Sequence, residues 1–169
     1  DLKGKYHDVP VVDMLGGAVR DTVEAYANRW YGGCDTPEEW AEAAATVVDT
    51  GFHSLKFDPF EGATREISNA ALQDVEDRVR AIREAVGPNA DLFIEGHGRF
   101  SPATAIRIGR RLEPYDIGWF EAPVHAHQGP EAFREVREAL SIPVADDMAA
   151  TDSKFDAFDF ISVRAVDII

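Results

Sequence analysis

A chain of 169 residues with 45% apolar side chains has enough material for one domain with a buried core. Its 31 acids against 17 lysines and arginines leave a net charge of −14, which weighs against nucleic acid and anionic membrane surfaces as partners. The single cysteine, Cys34, excludes an internal disulfide and a cysteine-based zinc site, and no apolar run approaches the roughly 20 residues of a membrane span. With no signal peptide legible, a cytoplasmic protein is expected, and the acid excess over few lysines (Lys3, Lys5, Lys56, Lys154) points to a halophilic, salt-adapted cytosol.

Residues 1–17 read as one short helix, with Leu2, Tyr6, Val9 and the run 11–15 apolar and Gly16-Gly17 as its stop. A first strand is expected at 23–27, leading into the cluster Asn28-Arg29-Trp30-Tyr31. Thr36-Pro37-Glu38-Glu39 has the form of a capping box with proline at the first helical position. Its helix should run to about Asp49, with Trp40, Ala44, Val47 and Val48 at helical spacing. After Gly51, a second strand at 53–57 ends in Lys56-Phe57-Asp58-Pro59-Phe60. A loop of about ten residues precedes an amphipathic helix from about 70 to 86, with Leu72, Val75, Val79, Ile82 and Val86 as its stripe and Gly87-Pro88 as its end.

The third strand opens at Asp91 and carries Glu95 and His97 at its end, followed by Ser101 as N-cap and Pro102 opening a helix to about Leu112. A fourth strand at 117–120 ends at Glu121-Ala122-Pro123, and a helix spans 130–140. A fifth strand at 143–145 ends in Asp146-Asp147. Thr151 or Asp152 would cap a helix to about Arg164, and a sixth strand begins at Val166.

Strands and helices alternating every 25 to 40 residues or so give an α/β fold, and its expected form is a (β/α)8 TIM-type barrel, incomplete at about six βα units. A doubly wound sheet is the alternative, weakened because no glycine-rich phosphate loop follows the first strand. A chain that starts at Asp1 and stops in the apolar run 166–169 reads as a piece of a longer protein.

Glu95, Glu121 and Asp147 end three successive strands and are separated by 26 residues each. Equal spacing predicts equal height on adjacent strands, where three oxygen donors suit a hard divalent cation, Mg2+ before Zn2+. Without a cation, clustered carboxylates repel and their pKa values rise. Lys56, in an apolar stretch near that cluster, is expected to have a lowered pKa and to serve as a general base. The competing interpretation is a lysine paired structurally with a carboxylate. Asp58 shares its face by alternation, and alternation likewise puts His97 on the side of Glu95. His97 is then either an acid/base group or a packed histidine satisfied by Arg99.

The run Tyr26-Ala27-Asn28 with Trp30-Tyr31-Gly32-Gly33, then 55–60, 94–100 and 119–123, resembles the mandelate racemase-type branch of the enolase superfamily, and within it the galactonate and gluconate (acid-sugar) dehydratases. The resemblance spans essentially the whole chain. It implies that Glu95, Glu121 and Asp147 (with Asp146 beside it) hold Mg2+, and that His97 protonates the departing β-hydroxyl. Lys56 matches the second-strand base or electrostatic partner, and Asp58, Arg99 and Arg29 fall to substrate binding. Asp58 departs from the Lys-x-Lys pattern of the racemases. Residues 1–17 would lead in from an N-terminal capping domain, and a second acid/base pair would follow Ile169.

The implied activity is Mg2+-dependent dehydration of an aldonate to a 2-keto-3-deoxy acid, in a homo-oligomer. A racemase, epimerase or cycloisomerase shares only the α-proton abstraction. An inactive barrel kept for binding or assembly would require a broken ligand set.

Overall fold

Strands joined by helices pair in parallel, because each crossover must return the chain to the same end of the sheet. The computed structural model, which describes residues 1–60, 62–147 and 154–169, obeys this rule. Strands β1 (Ser54–Phe57), β2 (Asp91–Glu95), β3 (Ile117–Glu121) and β4 (Val144–Ala145) form one parallel sheet in sequence order. Helices α1 (Leu2–His7), α2 (Val11–Met14) and α3 (Pro37–Asp49) precede β1, and α4 (Asn69–Val86), α5 (Pro102–Leu112) and α6 (Pro130–Ala139) follow β1, β2 and β3. Helix α7 (Lys154–Ser162) comes after β4. Among the described residues no helix is long and apolar enough to cross a membrane.

The strand alternation separates two chemistries. Leu55, Phe57, Leu92, Ile94, Phe120 and Val144 are buried in one core with Trp40, Leu72, Val79, Ile82 and Ile108 of the helices. Each such side chain contributes roughly 1.5–3 kcal/mol on burial. The intervening positions Lys56, Phe93, Glu95, Trp119 and Glu121 therefore belong to the opposite face. There Phe93 stacks on Trp119 with ring centroids 3.4 Å apart, and Tyr26 meets both rings edge-on. Apolar side chains under the helices and a polar, aromatic inner face make the sheet a partial (β/α)8 barrel.

Local signals set the helix ends. Thr36 and Glu39 complete the capping box, Ser68 and Ser101 cap α4 and α5, and Gly87 ends α4 at φ 74°. Each cap contributes about 1 kcal/mol.

Three expectations change. Residues 1–17 are two helices rather than one: Asp8 turns left-handed at φ 54°, and Pro10 follows before α2 opens. The first predicted strand reduces to one bridge, Ala27 to Leu55, and the sixth to a bridge from Ile168 to Ala145. Both lie at sheet edges, where only one side offers backbone partners. Six expected strands are thus four strands and two edge bridges. The proposed caps Thr151 and Asp152 lie outside the described residues.

Candidate metal and acid/base centre

Parallel pairing places Glu95 directly beside Glu121 at the carboxyl ends of β2 and β3. Two carboxylates so close need positive charge, and Lys56 of β1 supplies it. Its Nζ lies 2.9 Å from Glu95 Oε2 and 2.5 Å from Glu121 Oε1, with all three side chains nearly buried. The remaining oxygens are also occupied: the His97 backbone N–H donates to Glu95 Oε1 at 2.9 Å, and the Trp119 indole N–H to Glu121 Oε2 at 3.0 Å.

The electrostatics follow from this packing. Burial raises the Glu95 pKa and the Glu121 charge adds to the rise, against the opposing pull of Lys56 and the His97 N–H. At Lys56 the expectation of a lowered pKa is overturned. Burial does favour the neutral amine, but the hydrogen bonds and charges of Glu121 and Glu95 outweigh it and hold the ammonium above the usual lysine range.

The third expected ligand does not stand level with the first two. Glu121 pairs with Ala145, so the equal spacing fails at β4 and Asp147 lies two residues beyond the matching rung. It lines the same cavity of about 270 Å³, together with Lys56, Glu95, His97, Glu121 and Asp146. Among the described residues no group of three or more His, Cys, Asp or Glu side chains is gathered to hold a metal.

A second cluster stands beside the first. β2 stops at Glu95, and His97 turns left-handed (φ 50°), so its ring reaches the cavities it shares with Glu95 through the loop and not by strand alternation. The ring meets Asp58, with Nδ1 2.7 Å from Oδ2. Arg99 donates to both Asp58 oxygens, through Nη1 at 2.9 Å and through Nη2, and the Phe60 N–H donates to Oδ1 at 3.0 Å. Burial would raise the Asp58 pKa, but Arg99 and the Phe60 N–H overcome it and hold the carboxyl below the ordinary range. Arg99 Nη2 also lies 3.4 Å from His97 Nδ1, but a guanidinium only donates. The ionised Asp58 carboxylate only accepts, so Nδ1 donates to it and Nε2 is the ring nitrogen left outside that pair.

Arg29 is exposed at φ 58° and lines an adjoining cavity of about 380 Å³ with Asn28, Tyr31 and Gly32, which shares Lys56, Glu95 and His97 with the first. The structure thus gathers Lys56 with Glu95 and Glu121, and Asp58 with His97 and Arg99, while Asp147 and Arg29 sit at the margins. Trp119, Tyr31 and His125 were not among the expected site residues. Trp119 was recoverable, since it lies two residues before Glu121 on the same strand face.

The enolase C-terminal domain-like family matches residues 39–169. The chain is 40% identical to a D-gluconate dehydratase of Thermoproteus tenax over all of its own length and 34% of the relative's. It is 35% identical to a D-gluconate/D-galactonate dehydratase of Picrophilus torridus, again over the whole chain and 43% of that protein. The chain therefore spans about a third to two-fifths of these curated relatives. A solved mandelate racemase/muconate lactonizing enzyme-like protein from Rubrobacter xylanophilus superimposes with a TM-score of 0.85 at 31% identity, covering 99% of this chain and 48% of the other. A buried acid pair at the carboxyl ends of adjacent barrel strands, with a family match over most of the chain, identifies this protein as a member of the enolase superfamily, in its mandelate racemase-type branch.

Proposed function

We propose that the intact protein is a cytoplasmic, homo-oligomeric acid-sugar dehydratase that converts an aldonate to its 2-keto-3-deoxy acid with Mg2+. A base of the intact protein takes the α-proton from carbon 2, the hydroxyl on carbon 3 departs as water once protonated, and the resulting enol becomes the ketone. The observation that carries this reading is the Asp58–His97 pair standing beside the buried Glu95 and Glu121. Relatives named as gluconate and galactonate dehydratases support the substrate class.

The donor set fits a hard cation. Glu95 and Glu121 offer carboxylate oxygens at a point where the fold already requires positive charge, and Asp147 lines the same cavity. These three residues would hold Mg2+, which when bound stabilises the negative charge that develops on the substrate carboxylate.

The chain's own residues then divide the work. Asp58 orients the His97 ring, so that Nε2 delivers the proton the β-hydroxyl needs. Arg99 fixes Asp58, and with Arg29 it contributes positive charge near the substrate. Lys56, held as a cation, acts as the electrostatic partner of the two glutamates rather than as the group that takes the α-proton. Residues 1–169 form part of the catalytic barrel, with 1–17 as a helical lead-in from an N-terminal capping domain.

The test uses the intact protein with Mg2+ and a panel of aldonic and aldaric acids, with 2-keto-3-deoxy acid as readout. Product from one acid, lost in His97→Asn and Glu121→Gln, is the expected result. Exchange of the α-proton with solvent deuterium and no dehydration would replace this reading with an epimerase or racemase.

A further inference from the structure

The loop after β3 is tied to the loop after β2. The N–H groups of Gly96 and Gly98 donate to the carbonyls of Glu121 and Ala122 at 2.8 and 2.7 Å, and that of Phe100 to Pro123 at 3.3 Å. Val124, fully buried, bridges Arg99 and Phe100. Ala122 is held at φ 40°, a left-handed conformation that an alanine adopts only under such constraint. At Gly98 (φ 66°) an added Cβ would stand 3.1 Å from the His125 Cα and 3.4 Å from its Cδ2. Glycine at 98 is therefore what lets His125 lie against the His97-Gly98-Arg99 turn. In that position His125 joins His97, Glu95 and Glu121 in the wall of the 270 Å³ cavity.

The two histidines are wired oppositely. His97 Nδ1–H donates a hydrogen bond to Asp58, leaving Nε2 as the nitrogen that can exchange a proton. His125 Nδ1 accepts the His127 backbone N–H at 3.2 Å, and the two imidazoles stack at 4.8 Å. A neutral imidazole whose Nδ1 accepts carries its proton on Nε2. With Nδ1 accepting, His125 presents its Nε2–H as a hydrogen-bond donor on the cavity it shares with His97.

We propose that His125 is a specificity-determining residue whose Nε2–H donates to a hydroxyl oxygen on the sugar acid's chain beyond the reacting carbons. This assignment rests on the dehydratase reading of the same site. A neutral donor suits a hydroxyl oxygen, whereas the substrate carboxylate is better served by the cationic groups and the divalent ion. Loss of one such bond weakens binding without touching the bond-breaking steps, so it raises KM more than it lowers kcat.

The experiment measures kcat and KM of the intact Mg2+-loaded protein on a panel of aldonates that differ in their distal hydroxyls. It compares wild type, His125→Phe and His125→Gln, and follows substrate binding calorimetrically in the His97→Asn background. The expected result is a KM about tenfold higher in His125→Phe with kcat little changed and a flattened preference between epimeric acids. His125→Gln, which restores an N–H near the Nε2 position, should recover most of the affinity. Equal thermal midpoints in the three proteins confirm that the Phe variant is folded. Active wild type with unchanged KM and preference in His125→Phe overturns the proposal and leaves the dehydratase reading standing. Wild type that neither binds nor dehydrates any acid overturns both.

Discussion

Two charge clusters a few residues apart use the same ingredients to different ends. In the first, Lys56 lies between Glu95 and Glu121 with side chains about 8 to 11% exposed, and all four carboxylate oxygens are bonded. In the second, Asp58 is tied to Arg99, but the His97 ring it orients is 55% exposed. A buried cation held between two carboxylates is poorly placed to trade protons. An exposed imidazole with one nitrogen fixed and the other open is well placed to do so. Burial thus separates a fixed field from an accessible imidazole, the proposed proton carrier, although both clusters pair acids with bases.

Removing the central cation is the strongest way to break this contrast. Lys56→Met leaves two buried carboxylates facing each other, and should cost about 3–5 kcal/mol in a urea unfolding experiment. The deficit should hold through neutral pH and shrink only as the solution is made strongly alkaline. The sign is set by the raised Lys56 pKa: its contribution is full below the unfolded lysine pKa of about 10.4 and is lost only as pH rises through the higher folded value.

Asp58→Asn attacks the other cluster and should cost less, about 1–3 kcal/mol, through the lost charge-assisted bonds from Arg99. Here the folded pKa is depressed, so the stabilisation is present above the unfolded value of about 3.9 and disappears as pH falls through the lower folded one. Unfolding curves of the variant and wild type should therefore converge in strong acid. A constant gap at every pH would show that Asp58 acts by shape and not by charge.

Trp119→Phe keeps an aromatic ring over Phe93 but removes the indole donor to Glu121, for a loss of about 1 kcal/mol by chemical denaturation. Salt sharpens the difference between surface and interior. With a net charge of −14, wild type should melt at rising temperature as KCl is added, while the Lys56→Met deficit stays nearly constant because buried charges are little screened. A flat wild-type melting curve would sink the salt-adaptation expectation.

The sheet and its helices were largely legible because apolar periodicity and caps are local signals. Trp40 and Ala44, or Leu72, Val75, Val79 and Ile82, announce a buried stripe without knowledge of any partner. Glu95 and Glu121 were legible for the same reason, as polar ends of short buried strands. Register was not. The step that pairs Glu121 with Ala145 depends on how β4 slides against β3, and a 26-residue spacing carries no record of it. Nor was the closure of Asp58, His97 and Arg99, because it hinges on His97 leaving the strand at φ 50°. His125 was invisible because its place depends on the space left by Gly98 in a different loop. The edge strands at Ala27 and Ile168 shrank to bridges because hydrogen-bond partners, unlike hydrophobicity, cannot be counted along one segment.

The division between fixed field and proton carrier meets its most direct test in His97→Asn of the intact Mg2+-loaded protein. Incubated with the proposed aldonate substrate in deuterium oxide, this variant should exchange the α-proton at a rate close to wild type while forming at least roughly a hundredfold less 2-keto-3-deoxy acid. Exchange and product falling together would contradict that division, because His97 would then act in the first proton transfer and not only in the departure of the hydroxyl.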